Sequence, residues 1–506
     1  MNQPQTQAIN SYRLSLADRQ HAWLAVCLKR NAHSLIGRRY AFSSITSIND
    51  YQSRVPITDY EDIRSLVDRI AAGEANILFS GTPVAFERTS GSARKSKLIP
   101  YSSDSLVDYQ RAIAPWLSSL VDSYQLSGGS SYWSLSPVSR IESTTAAGIP
   151  IGLPDTAYLG DAVKLLSGVA FAVPAWVAQV KNIKQWKLFT LYWLLVHDDL
   201  LFISVWSPSF LSVLLDAITE YASALRQLLF KGGTYAGHAM PANEVAFNRL
   251  GRFVGTGDYR VLWPRLKLVS CWGDASSGKY LQQLQSRLPY VVVQPKGLLM
   301  TEAVVTVPDT LNHPVLAVDS GFYEFINDDG VFLAHQLEDE NCYEVVVTTS
   351  GGLYRYRTYD RVQCEGYRAG SPVLRFIGRN GIQSDLVGEK LTEDFVSGCL
   401  AFISGFSMLV PTSGPQPCYR LVLDKADEQQ ANALARQTEQ ALLENPQYAY
   451  ARKLRQLAAV TPVCLPVALN TYVECMRRSG IRYGDIKMPA LSTKPEWLKV
   501  INEDYS

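Results

Sequence analysis

The stretch LFISVWSPSFLSVLL, residues 201–215, decides the fold class. Residues 201–205 are a run of β-formers long enough for one strand. Ser207-Pro208 then supplies a cap residue and a first-turn proline, and Phe210, Leu211, Leu214 and Leu215 recur at helical spacing as a buried face. A strand that hands straight over to a helix is the β-turn-α unit of a mixed α/β domain. Short β-rich runs at 131–136, 266–271, 290–295 and 303–307 alternate with helical patterns around it, which excludes an all-α or all-β chain.

Upstream, residues 9–37 place Leu14, Leu16, Trp23, Leu24, Cys27 and Leu28 three and four apart, the pattern of a helical layer docked on a core. Downstream, 331–376 turns hairpin-like, with strands expected at 343–348, 353–356, 362–366 and 373–376 around Ser350-Gly351-Gly352. Past Asp385 the pattern restarts: a helix at 393–402, a strand at 419–423 and a helix with Ala431, Leu434, Ala435, Thr438 and Leu442 on one face. The expected architecture is α/β: a large mixed domain over residues 1–384 with an antiparallel β subdomain, then a smaller α+β domain over 385–506.

Composition narrows the function classes. At 506 residues and 47% hydrophobic, the chain has ample core-forming material and is not disordered. Lys and Arg number 48 against 47 Asp and Glu, so no one-sided basic field points to nucleic acid or an anionic membrane. The eight cysteines are scattered without a C-x-x-C pair, as expected of reduced core thiols in a cytoplasmic protein. MNQPQTQAIN lacks the basic and apolar regions of a secretory signal, and the longest apolar runs are cut by Pro174 or by His197-Asp198-Asp199. Motifs of zinc hydrolases, serine hydrolases and nicotinamide enzymes are absent from the sequence.

Three clusters carry chemistry. Thr89-Ser90-Gly91-Ser92-Ala93-Arg94-Lys95-Ser96-Lys97 joins hydroxyls, backbone N–H groups and lysines between two β-rich runs, which suits either a phosphate loop or a solvated polar hairpin. It is not a Walker loop, because Arg94 stands where that motif needs glycine. Thr301-Glu302, flanked by Leu298, Leu299, Met300, Val304 and Val305, puts a carboxylate at the end of a buried strand, either paired structurally or holding Mg²⁺ beside nucleotide phosphates. Tyr354-Arg355-Tyr356-Arg357-Thr358-Tyr359-Asp360, followed by Arg379 and by Ser384-Asp385-Leu386-Val387-Gly388-Glu389-Lys390, is either a half-buried strand with a solvated face or a carboxylate set for ribose hydroxyls with an arginine beside it.

Read in order, these clusters resemble the auxin-responsive acyl-acid amido synthetases, a branch of the adenylate-forming superfamily that includes firefly luciferase and acyl-CoA synthetases. The likeness extends over VPITDYEDI, FERTSGSARKSKLIPYS, SYWSLSP, SVWSPSFL, LWPRLKLVSCW, KGLLMTEAVV, GGLYRYR, PVLRFIGR, SDLVGEKLTE and GDIKMPALS, from Val55 to Ser492. The resemblance implies ATP and Mg²⁺ as cofactors. It assigns Ser90, Gly91 and Ser92 to a phosphate loop, Thr301 and Glu302 to the metal and phosphates, and Asp360 with Arg379 to the ribose. It implies that Lys390 reaches the nucleotide from a mobile C-terminal domain, with Lys487 a second candidate, and that 384–388 is the hinge. Tyr132, Trp133, Trp206 and Phe210 are the expected linings of an acyl pocket. Three residues depart from the family pattern: Arg94 and Ala303 replace glycines, and Thr358-Tyr359 replaces the usual Leu-Gly before the aspartate.

The activity implied is adenylation of a small carboxylic acid followed by transfer of the acyl group to an amine, an amino acid in the first instance, by a monomer with no nucleic-acid or membrane partner. Two alternatives share some of these motifs: a ligase with a thiol acceptor such as coenzyme A, and a non-catalytic nucleotide or metabolite binder.

Overall fold

The computed structural model describes residues 3–89, 97–134, 143–153, 158, 169–381, 383–414, 417–479, 481, 483–492 and 497, with side chains from residue 16 onward except at 169 and 170. The chain falls into two compact units, one of Met1–Ser123, Glu142–Ser167 and Lys296–Gly381, the other of Tyr124–Ile141, Gly168–Pro295 and Ile382–Ser506. No helix among the described residues is long and apolar enough to cross a membrane.

In the first unit the N-terminal helical pattern forms the helix Gln3–Asn31, which buries Leu16, Leu24, Cys27 and Leu28. The helix Tyr60–Ala71 starts at a capping box, the Asp59 carboxylate accepting from the Glu61 and Asp62 amides while Asp62 accepts from Asp59. A seven-stranded antiparallel sheet runs in the order Thr306–Pro308, Pro314–Leu316, Ser371–Arg379, Tyr356–Arg368, Cys342–Thr348, Phe322–Asn327 and Gly330–Leu333. The strands expected at 353–356 and 362–366 are one strand, Tyr356–Arg368, with Leu353–Arg355 in the turn before it. The polar residues Arg357, Asp360 and Arg361 hide its continuity from an apolar pattern, but pairing on both edges holds them in line.

A buried ion pair clamps this sheet to the helical layer. Arg355 Nε and Nη2 each reach the Glu324 carboxylate at 2.9 Å, and Nη1 donates to the Gln52 and Val55 carbonyls at 2.9 and 2.8 Å. The side chains are 7% and 1% exposed.

The second unit holds a five-stranded parallel sheet in the order Val292–Pro295, Leu268–Cys271, Leu200–Ser204, Gly129–Trp133 and Val169–Phe171. The helix after Leu200–Ser204 runs Pro208–Glu220 with Ser207 at its N-cap position and Pro208 in its first turn, as the quoted stretch requires. Residues past 382 add a three-stranded sheet of Ser407–Thr412, Cys418–Asp424 and Thr461–Leu465 with the helices Glu393–Cys399, Glu428–Leu442, Pro446–Lys453 and Ala468–Arg478. Successive side chains of a strand point to opposite faces. Leu409, Leu421 and Leu423 pack with Ala431, Ala435 and Leu442, whereas Met408, Val410 and Val422 join the core that holds Trp186, Phe210 and Tyr280. Both faces of that small sheet are therefore buried within the second unit.

Lys279, at the start of the helix Gly278–Arg287, donates to Ser407 Oγ at 2.8 Å, and burial pushes its pKa down to about 8.

Two measurements check this packing. Glu324→Ala strands the Arg355 guanidinium without its counter-charge and should lower unfolding stability in urea by about 3–5 kcal/mol; a loss below about 1 kcal/mol would remove the ion pair as a clamp. Between pH 8 and 10.5 the unfolded chain holds the Lys279 proton that the folded chain has lost, so stability rises with pH across that window. The melting temperature of the wild type should climb relative to Lys279→Met over that range and run parallel to it below.

Candidate functional site

The first unit brings the separate sequence clusters onto one surface. Strands Ala85–Arg88 and Leu98–Tyr101 pair antiparallel, and the Thr89 amide donates to the Lys97 carbonyl at 3.1 Å, so the first and last residues of the hydroxyl-rich stretch stand side by side. Ser90, Gly91 and Ser92, with Arg94, lie outside the described residues.

Thr301 and Glu302 stand at a turn, not at a strand end: Leu299 bridges Val304, and the Met300 amide donates to the Ala303 carbonyl at 2.9 Å. The apolar flanks that suggested a strand are the two sides of this narrow excursion. The Tyr101 phenol donates to the Thr301 carbonyl at 2.6 Å and fixes the turn from below. Ala303 is not among the residues of positive φ, so this position makes no demand for glycine. A cavity of about 30 Å³, room for one water, is lined by Glu302, Tyr101, Tyr109 and Ser350.

Asp360 is buried and stands opposite Arg379 in the register of the two longest strands. Arg379 Nε lies 3.9 Å from its carboxylate, and Nη2 donates to the Thr358 carbonyl at 3.0 Å. Burial works against the Arg379 charge, but Asp360 and then Glu302 outweigh it and raise the pKa. Arg379 thus faces both predicted carboxylates.

Lys97 completes the cluster and was not singled out from the sequence. Its ammonium donates to the Tyr356 phenol at 2.9 Å, lies 5.4 and 5.5 Å from the Tyr60 and Tyr356 ring centroids, and feels Glu302, Arg379, Asp59 and Asp360. Burial holds its pKa below the usual lysine range, with Glu302 opposing. The only sequence signal was a third basic residue in the hydroxyl-rich stretch, six positions after its glycine. Two carboxylates thus stand with a lysine and an arginine in one cluster, where the acids hold the cations in place and the cations could pair with an anion's oxygens.

The second unit carries the remaining expected residues. Trp133 and Trp206 sit half-buried at the carboxyl ends of parallel strands, where open α/β sheets bind ligands. Trp272, missed in the sequence, follows the next strand and packs on Trp206 with ring centroids 5.7 Å apart. Tyr132 and Phe210 are instead 1% and 4% exposed and packed in the core, Phe210 against Trp186 and Tyr483. The Lys487 ammonium lies 5.3 Å from the Trp272 ring centroid. Lys390 is exposed and adopts a left-handed φ of 48°. Its neighbour Glu389 is fully buried and accepts from the Leu386 and Val387 amides, each at 2.8 Å, and from the Tyr419 phenol. The loop that presents Lys390 is closed by the short pairing of Gln383–Ser384 with Leu391–Thr392.

Comparison with known proteins agrees with this geometry. The chain matches the GH3 family N-terminal domain over residues 6–292 and the GH3 family central domain over residues 314–379. It is 24% identical over 424 residues to an indole-3-acetic acid-amido synthetase, GH3.15, of Arabidopsis thaliana, covering 74% of this chain and 70% of that one. A second Arabidopsis thaliana indole-3-acetic acid-amido synthetase, GH3.2, is 22% identical and covered over 76% of its length against 74% of this chain. Among solved structures, a GH3.15 acyl acid amido synthetase superposes with a TM-score of 0.84 at 19% identity, over 98% of this chain and 95% of that one. A 2-hydroxyisobutyryl-CoA ligase in the postadenylation state superposes with a TM-score of 0.58 at 12% identity, over 97% and 91%. These two likenesses establish a shared fold.

Lys97→Met removes the cation that Glu302, Asp59 and Asp360 share and leaves Arg379 beside Asp360 and Glu302. Affinity for inorganic tripolyphosphate, measured by titration calorimetry, should fall roughly 10- to 100-fold, the loss of one charge-assisted contact. Unchanged affinity would exclude Lys97 from anion binding.

Proposed function

This chain belongs to the GH3 family, and from that premise we propose that it is an ATP-dependent acyl-acid amido synthetase that joins a small carboxylic acid to an amino acid. The observation that carries the reading is the convergence of Glu302, Asp360, Arg379 and Lys97 on one charged cluster.

A carboxylate does not acylate an amine at neutral pH, because its leaving group would be oxide. Converting the acid to a mixed anhydride with AMP replaces that leaving group by a phosphate ester. In the first step the acid's carboxylate oxygen attacks the α-phosphorus of ATP, the bond to the bridging oxygen breaks, and pyrophosphate departs. Asp360 accepts hydrogen bonds from the ribose hydroxyls, and Arg379 holds Asp360 in place. Lys97 and the loop of Ser90, Gly91 and Ser92 take up charge that spreads over the phosphate oxygens. By the resemblance, Lys390 adds a further cation in this step, from a domain of residues 385–506 that moves about a hinge at 384–388, with Lys487 the second candidate.

Glu302 fits Mg²⁺ arriving with the nucleotide. No group of three metal-ligating side chains occurs among the described residues, and Mg²⁺ in nucleotide sites takes one or two carboxylates and fills its shell with phosphate and water oxygens. When bound, it neutralises phosphate charge. Thr301, pinned through its carbonyl by Tyr101, holds the Glu302 turn in place.

In the second step a neutral amine attacks the acyl carbonyl and AMP leaves, forming the amide. Trp133, Trp206 and Trp272 offer flat apolar surface to an aromatic or otherwise apolar acid. Tyr132 and Phe210, buried in the core, are not part of that surface. The family favours an amine over a thiol as acceptor.

ATP–pyrophosphate exchange across a panel of carboxylic acids, followed by mass detection of products with each amino acid and with coenzyme A, tests the reading. At least one acid should stimulate exchange and give an amide; a thioester alone would move the chain to the thiol-dependent ligases, and no stimulation by any acid would leave a nucleotide binder. Asp360→Ala should weaken ATP binding about tenfold or more by loss of a charged acceptor, whereas Lys390→Ala should slow exchange with a smaller effect on ATP affinity. Near-wild-type behaviour in both would remove these assignments.

A further inference from the structure

We propose that Tyr359 and Asp59 form a positioning pair that sets Asp360 for the ribose hydroxyls, an inference that rests on the reading of Asp360 given above. Tyr359 occupies the position where the family pattern has glycine, and its φ is 67°. A left-handed backbone is open to glycine without strain but is unfavourable for a bulky residue. Such a conformation persists only where the surroundings over-determine it.

The surroundings here are specific. The Tyr359 phenol donates to Asp59 Oδ2 at 3.0 Å, the Arg357 guanidinium lies 4.8 Å from the ring centroid, and the Tyr359 carbonyl accepts from the Asn380 amide at 2.7 Å. Asp59 is itself fixed. It caps the helix Tyr60–Ala71, and the preceding Thr58 is laid alongside the strand by two hydrogen bonds, its amide to the Arg355 carbonyl at 3.0 Å and the Arg357 amide to its carbonyl at 2.8 Å. The helix cap therefore serves as the anchor for the phenol.

The left-handed turn at Tyr359 has a direct consequence for its neighbour. The Asp360 amide folds back onto the Thr358 hydroxyl at 3.1 Å, and the Asp360 carboxylate comes to lie beside Arg379. A relaxed β conformation at 359 would rotate that carboxylate out of the cluster. Glycine supplies the required φ with no tether; tyrosine supplies a tether that holds an otherwise unfavourable φ. Removing only the hydroxyl should thus be worse than removing the whole side chain.

The test is titration calorimetry of the full chain with ATP, 2′-deoxy-ATP and 3′-deoxy-ATP, alongside thermal melting. Tyr359→Phe and Asp59→Ala should each weaken ATP binding about tenfold and flatten the preference for ATP over the deoxynucleotides. Tyr359→Gly, which keeps the φ without the tether, should stay within threefold of wild type in both readouts. A purely structural role would lower melting temperatures while leaving the ribose preference intact, and that result overturns the inference, as does a Gly variant as impaired as the Phe variant. Should a Tyr359 variant fail to fold, the ribose preference of Asp59→Ala decides the question, and should Asp59→Ala fail to fold, the two Tyr359 variants decide it. A wild-type chain that binds ATP without preferring it to either deoxynucleotide overturns the ribose reading of Asp360, and one that binds no ATP overturns the nucleotide site; both are distinct from failure of the pair.

Discussion

The Arg355 guanidinium enclosed by Glu324 and by two carbonyls of the N-terminal helical layer is the constraint on which the first unit turns. A charge this deeply buried is tolerated only when every donor is satisfied. Satisfying them fixes the end of the helix Ile48–Arg54, the strand Phe322–Asn327 and the entry to Tyr356–Arg368 relative to one another. Arg355 itself has a left-handed φ of 47°, so the chain enters that strand at a set angle. Asp360 lies five residues further on, and its placement inherits this geometry.

The charged cluster built on that frame is nearly self-neutralising. Lys97 and Arg379 stand among Glu302, Asp360 and Asp59, and each cation is influenced by more than one acid. Such mutual pairing keeps long charged side chains oriented, the preorganisation that the proposed nucleotide site requires. The two left-handed residues Arg355 and Tyr359 bracket this part of the strand, and both are secured by side-chain contacts to elements far away in sequence. Strain concentrated beside a charged cluster, and held there by long-range tethers, is the pattern expected where position matters more than stability.

The charged positions were legible residue by residue, and their proposed roles came only with the family resemblance. Glu302, Asp360 and Arg379 stood out because charged groups between apolar or aromatic neighbours are costly unless used or paired. The helix after Leu200–Ser204 was readable because Ser207-Pro208 is a local signal. Lys97 and Trp272 were not legible: a lysine in a polar loop and a tryptophan after a strand are common, and their significance lies in what stands opposite. The 13-residue strand Tyr356–Arg368 was split in two because its polar residues interrupt the apolar rhythm.

The sequence by itself determined the α/β class, the order of helical and strand-like segments and the list of chemically loaded residues, which follow from local spacing and side-chain type, and the family, which follows from the resemblance of motifs along the chain. Only the tertiary structure decided that Asp360 pairs with Arg379 and shares Lys97 with Glu302, that Ala303 replaces glycine at no conformational cost, and that Tyr359 replaces it under strain. Those outcomes depend on strand register and backbone φ, which are settled by pairing partners tens to hundreds of residues away and leave no mark in the local pattern.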